Sequence, residues 1–228
     1  MPRILMLGLD PALAETSFEG LDRDTELDVR VVPGRPAGLS SAQDWSLADL
    51  AVMAAGQEAQ AEGFDALCLP DFGDYGVGAL RSLLDIPVIA GGRGAMLHAL
   101  TLGAPFAVVT PRSGYERAAR LVHDYGLSAQ CAAVEPYAGQ DADQALTACH
   151  AALAAGAKVL CFAEMPAASA ARLAAQLPVP ALLPAPLSLK LAESFLGLGL
   201  SQSRRAYPEP QIRKPELIRA LMAAAAGH

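Results

Sequence analysis

Short, continuously apolar runs alternate with longer segments of helical periodicity along the whole chain. Unbroken apolar strands are typical of parallel sheets covered on both faces, because a sheet with one solvated face shows alternating polar residues. Strands and helices that alternate along a chain form α/β layers joined by right-handed crossovers. We therefore predict an α/β fold of parallel sheets. The predicted strands are Ile4–Leu9, Leu27–Val32, Ala66–Leu69, Val88–Ala90, Phe106–Thr110, Ala129–Val134, Lys158–Ala163 and Ala181–Leu183, and the predicted helices lie near 43–61, 76–84, 94–102, 114–125, 140–155, 167–176, 186–198 and 215–226.

The alternating pattern contains an internal repeat. Segment 65–71 places Cys68 inside a strand and a carboxylate three residues later, and segment 157–164 places Cys161 and a second carboxylate in the same way. In both cases a helical stretch and a short, proline-flanked strand follow. We therefore predict two halves related by duplication and pseudo-twofold symmetry, which face one another across a cleft. The first half comprises residues 1–97 and 186–228, and the second comprises residues 98–185.

Composition and charge narrow the class of protein. The chain has 228 residues, of which 53% are hydrophobic and 18% are charged, and this is the apolar content of a packed domain and not of a disordered chain. A net charge of −7 without a long basic run argues against a nucleic-acid partner. The apolar runs are shorter than the roughly 18 residues of a membrane span, and the start lacks a signal core. With four cysteines and no CxxC motif, we expect a cytoplasmic protein without a membrane partner.

Two carboxylates occupy matched positions in the repeat. Asp71 and Glu164 each follow a strand and lead into a loop and a helix. Ligands of open α/β sheets bind beyond the carboxyl ends of the strands, so both side chains are predicted at a ligand site. One interpretation is a catalytic pair, in which one side chain removes a proton and the other delivers one. The other is structural: Asp71 caps the following turn and Glu164 supports a helix N-terminus. The matched positions favour the catalytic interpretation.

Several sequence blocks, distributed over nearly the whole chain, point to one family. The most distinctive block is the C-terminal run from Leu189–Glu193 into Leu198–Arg205. The others are Phe64–Ala66 with Phe72–Asp74, Pro87–Val88 with Leu97–His98, Phe106–Thr110 and Asp124–Leu127. Together they resemble the aspartate/glutamate/hydantoin racemase superfamily. The resemblance implies two Rossmann-like halves, chemistry at a carbon acid without a cofactor, and association of the subunits into a homo-oligomer.

The chain departs from this family pattern at the positions that carry the chemistry. The family usually has two opposed cysteines at the strand ends, which act as thiol acid and thiolate base, whereas the aligned positions here are Asp71 and Glu164. Cys68 and Cys161 lie three residues upstream, inside the strands, so the catalytic role is not transferred to them. We interpret both as buried small hydrophobes. The resemblance therefore implies a racemase scaffold in which carboxylates replace both thiols.

Further candidates for substrate binding lie near the same strand ends and helix starts. Arg93, in a glycine-rich helix start, is predicted either to bind a substrate carboxylate or to neutralise a nearby acid. Ser113 is predicted either to contact the substrate or to cap a helix. The glycines do not form GxGxxG in a strand–turn–helix context and the histidines lack metal-ligand spacing, so neither a dinucleotide nor a metal is expected. The substrate-binding candidates are Asp10, Gly73, Arg93, Thr110, Arg112 and Ser113, and a basic cluster interpreted as a solvated arm consists of Arg204, Arg205, Arg213 and Lys214.

A carboxylate pair limits the reactions available. The pKa of a free Asp or Glu lies roughly 4 units below that of a free Cys, so proton abstraction is disfavoured by about 6 kcal/mol. Three alternatives would overcome this cost. Burial and mutual repulsion can raise the pKa of one carboxyl group, or the substrate can be a stronger carbon acid that a weak base deprotonates. The reaction can also be one that needs no thiolate. We expect an isomerase (a racemase, epimerase or double-bond isomerase) acting on a small carboxylic or cyclic amide-type carbon acid. The alternatives are a decarboxylase or other lyase, a carboxylate-based hydrolase, and a non-catalytic protein that binds a small molecule.

Overall fold

The structure is a computed structural model, which describes residues 1–228 except Ser17, Glu19, Gln140, Asp141, Gly227 and His228. Within these residues, eight strands form two four-stranded sheets: β1 (Arg3–Gly8), β2 (Glu26–Val31), β3 (Ala66–Leu69), β4 (Val88–Ala90), β5 (Phe106–Pro111), β6 (Cys131–Tyr137), β7 (Val159–Phe162) and β8 (Ala181–Leu182). The strand orders are β2-β1-β3-β4 and β6-β5-β7-β8, and every neighbouring pair is parallel. The predicted α/β fold with two parallel sheets is confirmed.

Helices connect the strands, as the alternating pattern predicts. They are α1 (Ala42–Gly56), α2 (Val77–Leu83), α3 (Gly91–Leu102), α4 (Tyr115–Asp124), α5 (Ala142–Ala154), α6 (Ala167–Ala174), α7 (Pro184–Gly197) and α8 (Pro215–Ala226), with short 3₁₀ turns at Pro11–Glu15 and Arg112–Gly114. The first two residues of the helix predicted near 140–155 lie outside the described residues. Each helix in the described part of the chain is too short or too polar to cross a bilayer.

Successive residues of β5 enter two different hydrophobic cores. Phe106 and Val108 pack in one core with residues of α3 and α4, while Ala107 and Val109 pack in the other with residues of α5 and α6. All four side chains are fully buried. Because both faces of this sheet are covered, the strand has no solvated side and its sequence reads as a continuous apolar run.

The chain divides into two compact units. Unit 1 consists of Met1–Pro70, Asp74–Ala90 and Ser188–His228, and unit 2 consists of Asp71–Gly73 and Gly91–Leu187. Strands β1–β4 therefore belong to unit 1 and strands β5–β8 to unit 2. The three-residue segment that follows β3, which begins with Asp71, belongs to unit 2 and not to the unit that contains its strand.

Side chains of the segment after α7 bind the backbone of unit 1. The Gln202 amide donates to two carbonyls and accepts one N–H within segment 84–88. Arg204 donates to two carbonyls at the end of α2 and forms an ion pair with Asp85. The interpretation of the basic cluster as a solvated arm is therefore wrong for Arg204, because this guanidinium donates to carbonyl groups of partly buried residues at the end of a helix.

Candidate active site

The strand order of unit 2 identifies the edge at which a ligand site is expected. The connection after β5 leads to β6 on one side, and the connection after β6 returns to β7 on the other. Ligands of open α/β sheets bind at the carboxyl ends of the strands where the order reverses in this way, here between β5 and β7. Thr110 lies at the end of β5, and Glu164 follows β7 after one intervening residue. The sequence prediction placed both residues at strand ends, and the structure brings them to the same reversal point.

Glu164 has a backbone conformation that is rare for its residue type. Its φ angle is 51°, in the left-handed region. The preceding Ala163 still donates its N–H to Val109 of β5 at 2.9 Å, so the chain leaves the sheet at Glu164. A non-glycine residue in this region costs about 1–3 kcal/mol and persists only where its surroundings fix it, which occurs most often at functional sites. The fold therefore holds Glu164 in a strained backbone conformation at the switch point of the sheet.

The Glu164 carboxylate packs closely against the turn that leads into α4. A Cβ atom on Gly114 would lie 3.2 Å from Glu164 Oε2 and 2.5 Å from Thr110 Oγ1, so only glycine leaves room for both side chains. Gly114 is the N-cap of α4, and it offers no side-chain acceptor to the first N–H groups of that helix. A helix N-terminus attracts negative charge. The position of Glu164 thus suits a carboxylate that must be charged during part of a reaction cycle.

Tyr137 is a member of this site that the sequence prediction missed. It is the last residue of β6 and is 6% exposed. Burial and the nearby negative charge of Glu164 raise the pKa of the Tyr137 phenol to about 12, with a smaller effect from Cys149. The predicted strand ended at Val134, three residues short, because Glu135 and Pro136 interrupt its apolar run. Continuing the predicted strand through Glu135 and Pro136 would have placed Tyr137 at its carboxyl end, where ligands bind.

Asp71 is tied to the same unit through its neighbours. Phe72, which is 2% exposed, packs in the hydrophobic core that also contains Ala163. The Gly73 carbonyl accepts a hydrogen bond of 2.8 Å from Nε of Arg117. Asp71 and Glu164 each adjoin a residue of this core, since Phe72 follows Asp71 and Ala163 precedes Glu164. The structure thus places the sequence neighbours of both predicted catalytic carboxylates in one hydrophobic core.

The other candidate residues of unit 2 have varied surroundings. Arg93 lies in the first turn of α3, with its guanidinium carbon 5.1 Å from the centroid of the Tyr125 ring, a cation–π geometry. Thr110 is fully buried, and its hydroxyl donates to the carbonyl of the next residue at 3.2 Å. Arg112 and Ser113 are exposed in the 3₁₀ turn before α4, and neither occupies its N-cap or that of the helix.

Asp10 belongs to unit 1. Its carboxylate is the N-cap of the 3₁₀ turn Pro11–Glu15 and accepts a hydrogen bond of 3.0 Å from the backbone N–H of Ala12. The side chain is exposed after β1. This capping bond gives Asp10 a local structural role.

The cysteines are unsuited to acid/base chemistry. Cys68 and Cys161 are fully buried, and the interpretation of both as small hydrophobes is confirmed. Burial raises the pKa of Cys68 to about 12, although its thiol donates to the carbonyl of Ser188, and burial likewise raises the pKa of Cys161. The reactive form of a cysteine is the thiolate, which such a pKa suppresses at neutral pH. Across the described residues, no cluster of three or more His, Cys, Asp or Glu side chains could hold a metal ion.

A family model described as Asp/Glu/hydantoin racemase matches residues 13–192. No curated protein matches the chain significantly. Among solved structures, the chain is similar to allantoin racemase from Klebsiella pneumoniae, with 26% identity, coverage of 93% of this chain and 95% of that chain, and a TM-score of 0.79. Allantoin racemase from Pseudomonas fluorescens is 23% identical, with coverage of 93% and 98% and a TM-score of 0.75. Arylmalonate decarboxylase is 16% identical, with coverage of 92% and 100% and a TM-score of 0.60. The last two similarities concern the fold alone.

Proposed function

Because the chain belongs to the Asp/Glu/hydantoin racemase family, it is an enzyme of a racemase fold, and we propose that it is a cofactor-independent isomerase that uses Asp71 and Glu164 as its acid/base pair. One observation carries this proposal. The strained Glu164 places its carboxylate at the switch point of the sheet, in the repeat position that matches Asp71. A capping role alone gives no reason for this strain. The proposal retains a cytoplasmic homo-oligomer, on which the chemistry does not depend.

The proposed reaction moves one proton off a carbon atom and returns one to it. The ionised carboxylate takes the proton from carbon, and the C–H bonding pair remains on the substrate as a planar carbanion stabilised by an adjacent carbonyl. The other carboxyl group, which begins protonated, then gives its proton to the opposite face of that carbon. The substrate is inverted, and the two carboxyl groups have exchanged protonation states. Two acidic groups near one another favour such a shared proton, because both cannot easily be ionised together.

The weak basicity of a carboxylate sets the substrate class. An Asp or Glu is a poorer base than a cysteine thiolate by about 6 kcal/mol, so the carbon acid must be correspondingly more acidic. A carbon between a carbonyl and a second electron-withdrawing group meets this demand. We therefore propose a small carboxylic or cyclic amide-type carbon acid. The names of the similar structures, allantoin racemase and arylmalonate decarboxylase, fit both kinds of compound.

Decarboxylation is the second candidate reaction, and the similarity to arylmalonate decarboxylase supports it. It requires a single acid, which protonates the carbanion left after loss of carbon dioxide, and it needs no strong base. A hydrolase, in which one carboxylate activates water, and a binding protein without turnover would use the same residues differently.

Hydrogen exchange with solvent separates these reactions. Incubation in D₂O with a 5-substituted hydantoin should replace the ring C–H by deuterium, which ¹H NMR detects without net product. A 2-substituted malonate tests decarboxylation by release of carbon dioxide. Ring opening of the hydantoin would indicate hydrolysis, and binding without any of these changes would indicate a binding protein.

Two substitutions test the residue assignment. We expect Asp71→Asn and Glu164→Gln each to lower the exchange rate by about 10²- to 10⁴-fold, the usual contribution of general acid–base catalysis. Asp124→Asn and Glu116→Gln on the exposed face of α4 are the matched controls and should leave the rate unchanged. Thermal unfolding checks that all four variants fold. Unchanged exchange in Asp71→Asn or Glu164→Gln would refute the assignment of that residue.

A further inference from the structure

The register of the second sheet places Tyr137 and Glu164 at one level. Tyr137 pairs with Pro111 across β6 and β5. On the other side of β5, Phe162 pairs with Val109, so Glu164, two residues further along, is level with Pro111. Adjacent strands are about 4.8 Å apart, and the two backbones are therefore separated by roughly 10 Å. A tyrosine and a glutamate side chain directed toward the middle strand span such a gap.

The observed contacts give this direction. Glu164 Oε2 lies over the turn that continues from β5, at 3.2 Å from the Cβ position of Gly114. The carboxylate therefore extends from β7 toward the middle of the sheet. Tyr137 packs in the core that contains Val109 and Phe162, and its exposure of 6% leaves its ring little freedom to turn into solvent. The ring is thus fixed beside the end of the strand over which the carboxylate lies.

Resting on the acid/base function proposed above, we propose that Tyr137 is a positioning residue whose neutral phenol donates an O–H hydrogen bond toward the Glu164 carboxylate through one bridging water molecule. The phenol stabilises the charged form of Glu164 and fixes the direction of its oxygen atoms. It does not transfer the proton itself, because burial and the Glu164 charge keep the phenol protonated throughout the physiological pH range. Cys149, which also affects the pKa of Tyr137, is neutral in this range because burial raises its own pKa to about 11.

Tyr137→Phe removes the hydroxyl and keeps the ring that packs in the core. We expect kcat for solvent exchange to fall by about 10- to 100-fold, the loss typical of a hydrogen bond to a charged group, with little change in KM. The acidic limb of the pH–rate profile should also move to higher pH, because the carboxylate becomes harder to ionise. Tyr207→Phe is the matched control: its hydroxyl bonds to Arg81 in unit 1, and its loss should leave the profile in place.

A second measurement does not need the substrate. In protein labelled with ¹³C at glutamate Cδ, the Glu164 resonance is assigned from its absence in Glu164→Gln, and its titration is compared between the wild type and Tyr137→Phe. We expect a higher midpoint in the variant, and an equal midpoint overturns the proposal. If Tyr137→Phe does not fold, the phenol is titrated instead with ¹³Cζ-labelled tyrosine, and its midpoint should be lower in Glu164→Gln than in the wild type.

These results separate the two proposals. Exchange in the wild type with an unchanged rate and pH profile in Tyr137→Phe overturns the role of Tyr137 and leaves the isomerase intact. No exchange in the wild type, together with the expected shift of the Glu164 midpoint, contradicts the isomerase and supports the pairing of Tyr137 with Glu164.

Discussion

Replacement of Gly114 by alanine tests whether the Glu164 carboxylate occupies the position described above. The added Cβ would lie 2.5 Å from Thr110 Oγ1, which must move beyond 3.0 Å, and 3.2 Å from Glu164 Oε2, which must move by a few tenths of an ångström. Thr110 is fully buried and β-branched, so its hydroxyl has little room to yield. The substitution therefore forces a displacement within the site and not on the surface.

The magnitude follows from opposing effects. Overpacking of a dense region costs about 1–3 kcal/mol, and alanine is a poorer N-cap than glycine. The φ angle of Gly114 is −89°, which alanine adopts readily, so a reduction in unfolded-state entropy offsets about 0.4–1 kcal/mol of the cost. We expect a net loss of about 1–2 kcal/mol, which for a chain of this length lowers Tm by about 2–8 °C. Because a displacement of 1 Å can cost a catalytic group about 10²-fold, a smaller displacement of Glu164 should slow exchange by about 10-fold.

The assays are differential scanning calorimetry for Tm and deuterium exchange for activity. Gly78→Ala in α2 is the matched control, since Gly78 is exposed and its Cβ would meet nothing within 4 Å. That variant should be as stable as the wild type or more stable by up to about 1 kcal/mol, because alanine favours a helix. If Gly114→Ala behaved like this control in both assays, the carboxylate could not lie against the turn, and the geometry assigned to Glu164 would be refuted.

Two further predictions concern the cysteines and the pH dependence of stability. Treatment with iodoacetamide at neutral pH should leave Cys68 and Cys161 unmodified, as measured by mass spectrometry, and should leave the activity intact. The reason is that both thiols are buried, which raises their pKa. Inactivation that tracks modification of either cysteine would contradict the carboxylate mechanism. Burial acts to raise the pKa of Glu193, but hydrogen bonds from Lys190, the Asp22 N–H and Thr25 outweigh it, and the pKa is lowered. A carboxyl whose pKa is lower in the folded state adds stability above its unfolded pKa and loses it as the pH falls through the folded value. Glu193→Gln should therefore cost about 1–3 kcal/mol in urea unfolding at pH 7, with the difference shrinking below about pH 4, and a difference that is constant with pH would contradict this account.

The strands of this protein were largely predictable because they are buried on both faces. The predicted Ala66–Leu69 and Val88–Ala90 coincide with β3 and β4, since a doubly covered strand ends where its apolar run ends. β6 behaves differently, because it is an edge strand of which only Tyr137 is buried, whereas the edge strand β4 is buried throughout. An edge strand tolerates proline and polar residues on its unpaired side, so the strand continues through Pro136 although its apolar run has stopped. Because of this error, Tyr137 at the end of β6 was missing from the predicted site residues.

The place of Glu164 after a strand was predictable from the sequence, and its backbone conformation was not. The repeat placed Glu164 at a strand end, and the structure agrees. The presence of a glutamate in the sequence does not indicate a φ angle of 51°. In the structure this conformation accompanies two contacts: Ala163 pairs with β5, and the Glu164 carboxylate uses the space that Gly114 leaves. Such contacts arise only when segments distant in sequence pack together, so the residues near Glu164 in the sequence do not reveal them.

The C-terminal residues that carry the family resemblance and the carboxylates proposed to carry the chemistry are different sets of residues with different physical roles. The distinctive C-terminal block includes Glu193, Gln202 and Arg204, whose side chains bind backbone and charged groups within unit 1. Replacing any of them removes hydrogen bonds to groups that are largely partly buried, at a cost to folding. Phe72 and Ala163, the neighbours of Asp71 and Glu164, are the residues at these two positions that pack in the hydrophobic core of unit 2. A carboxyl group in place of a thiol at the two proposed catalytic positions lowers the proton affinity of the base and raises the acidity that the substrate must supply.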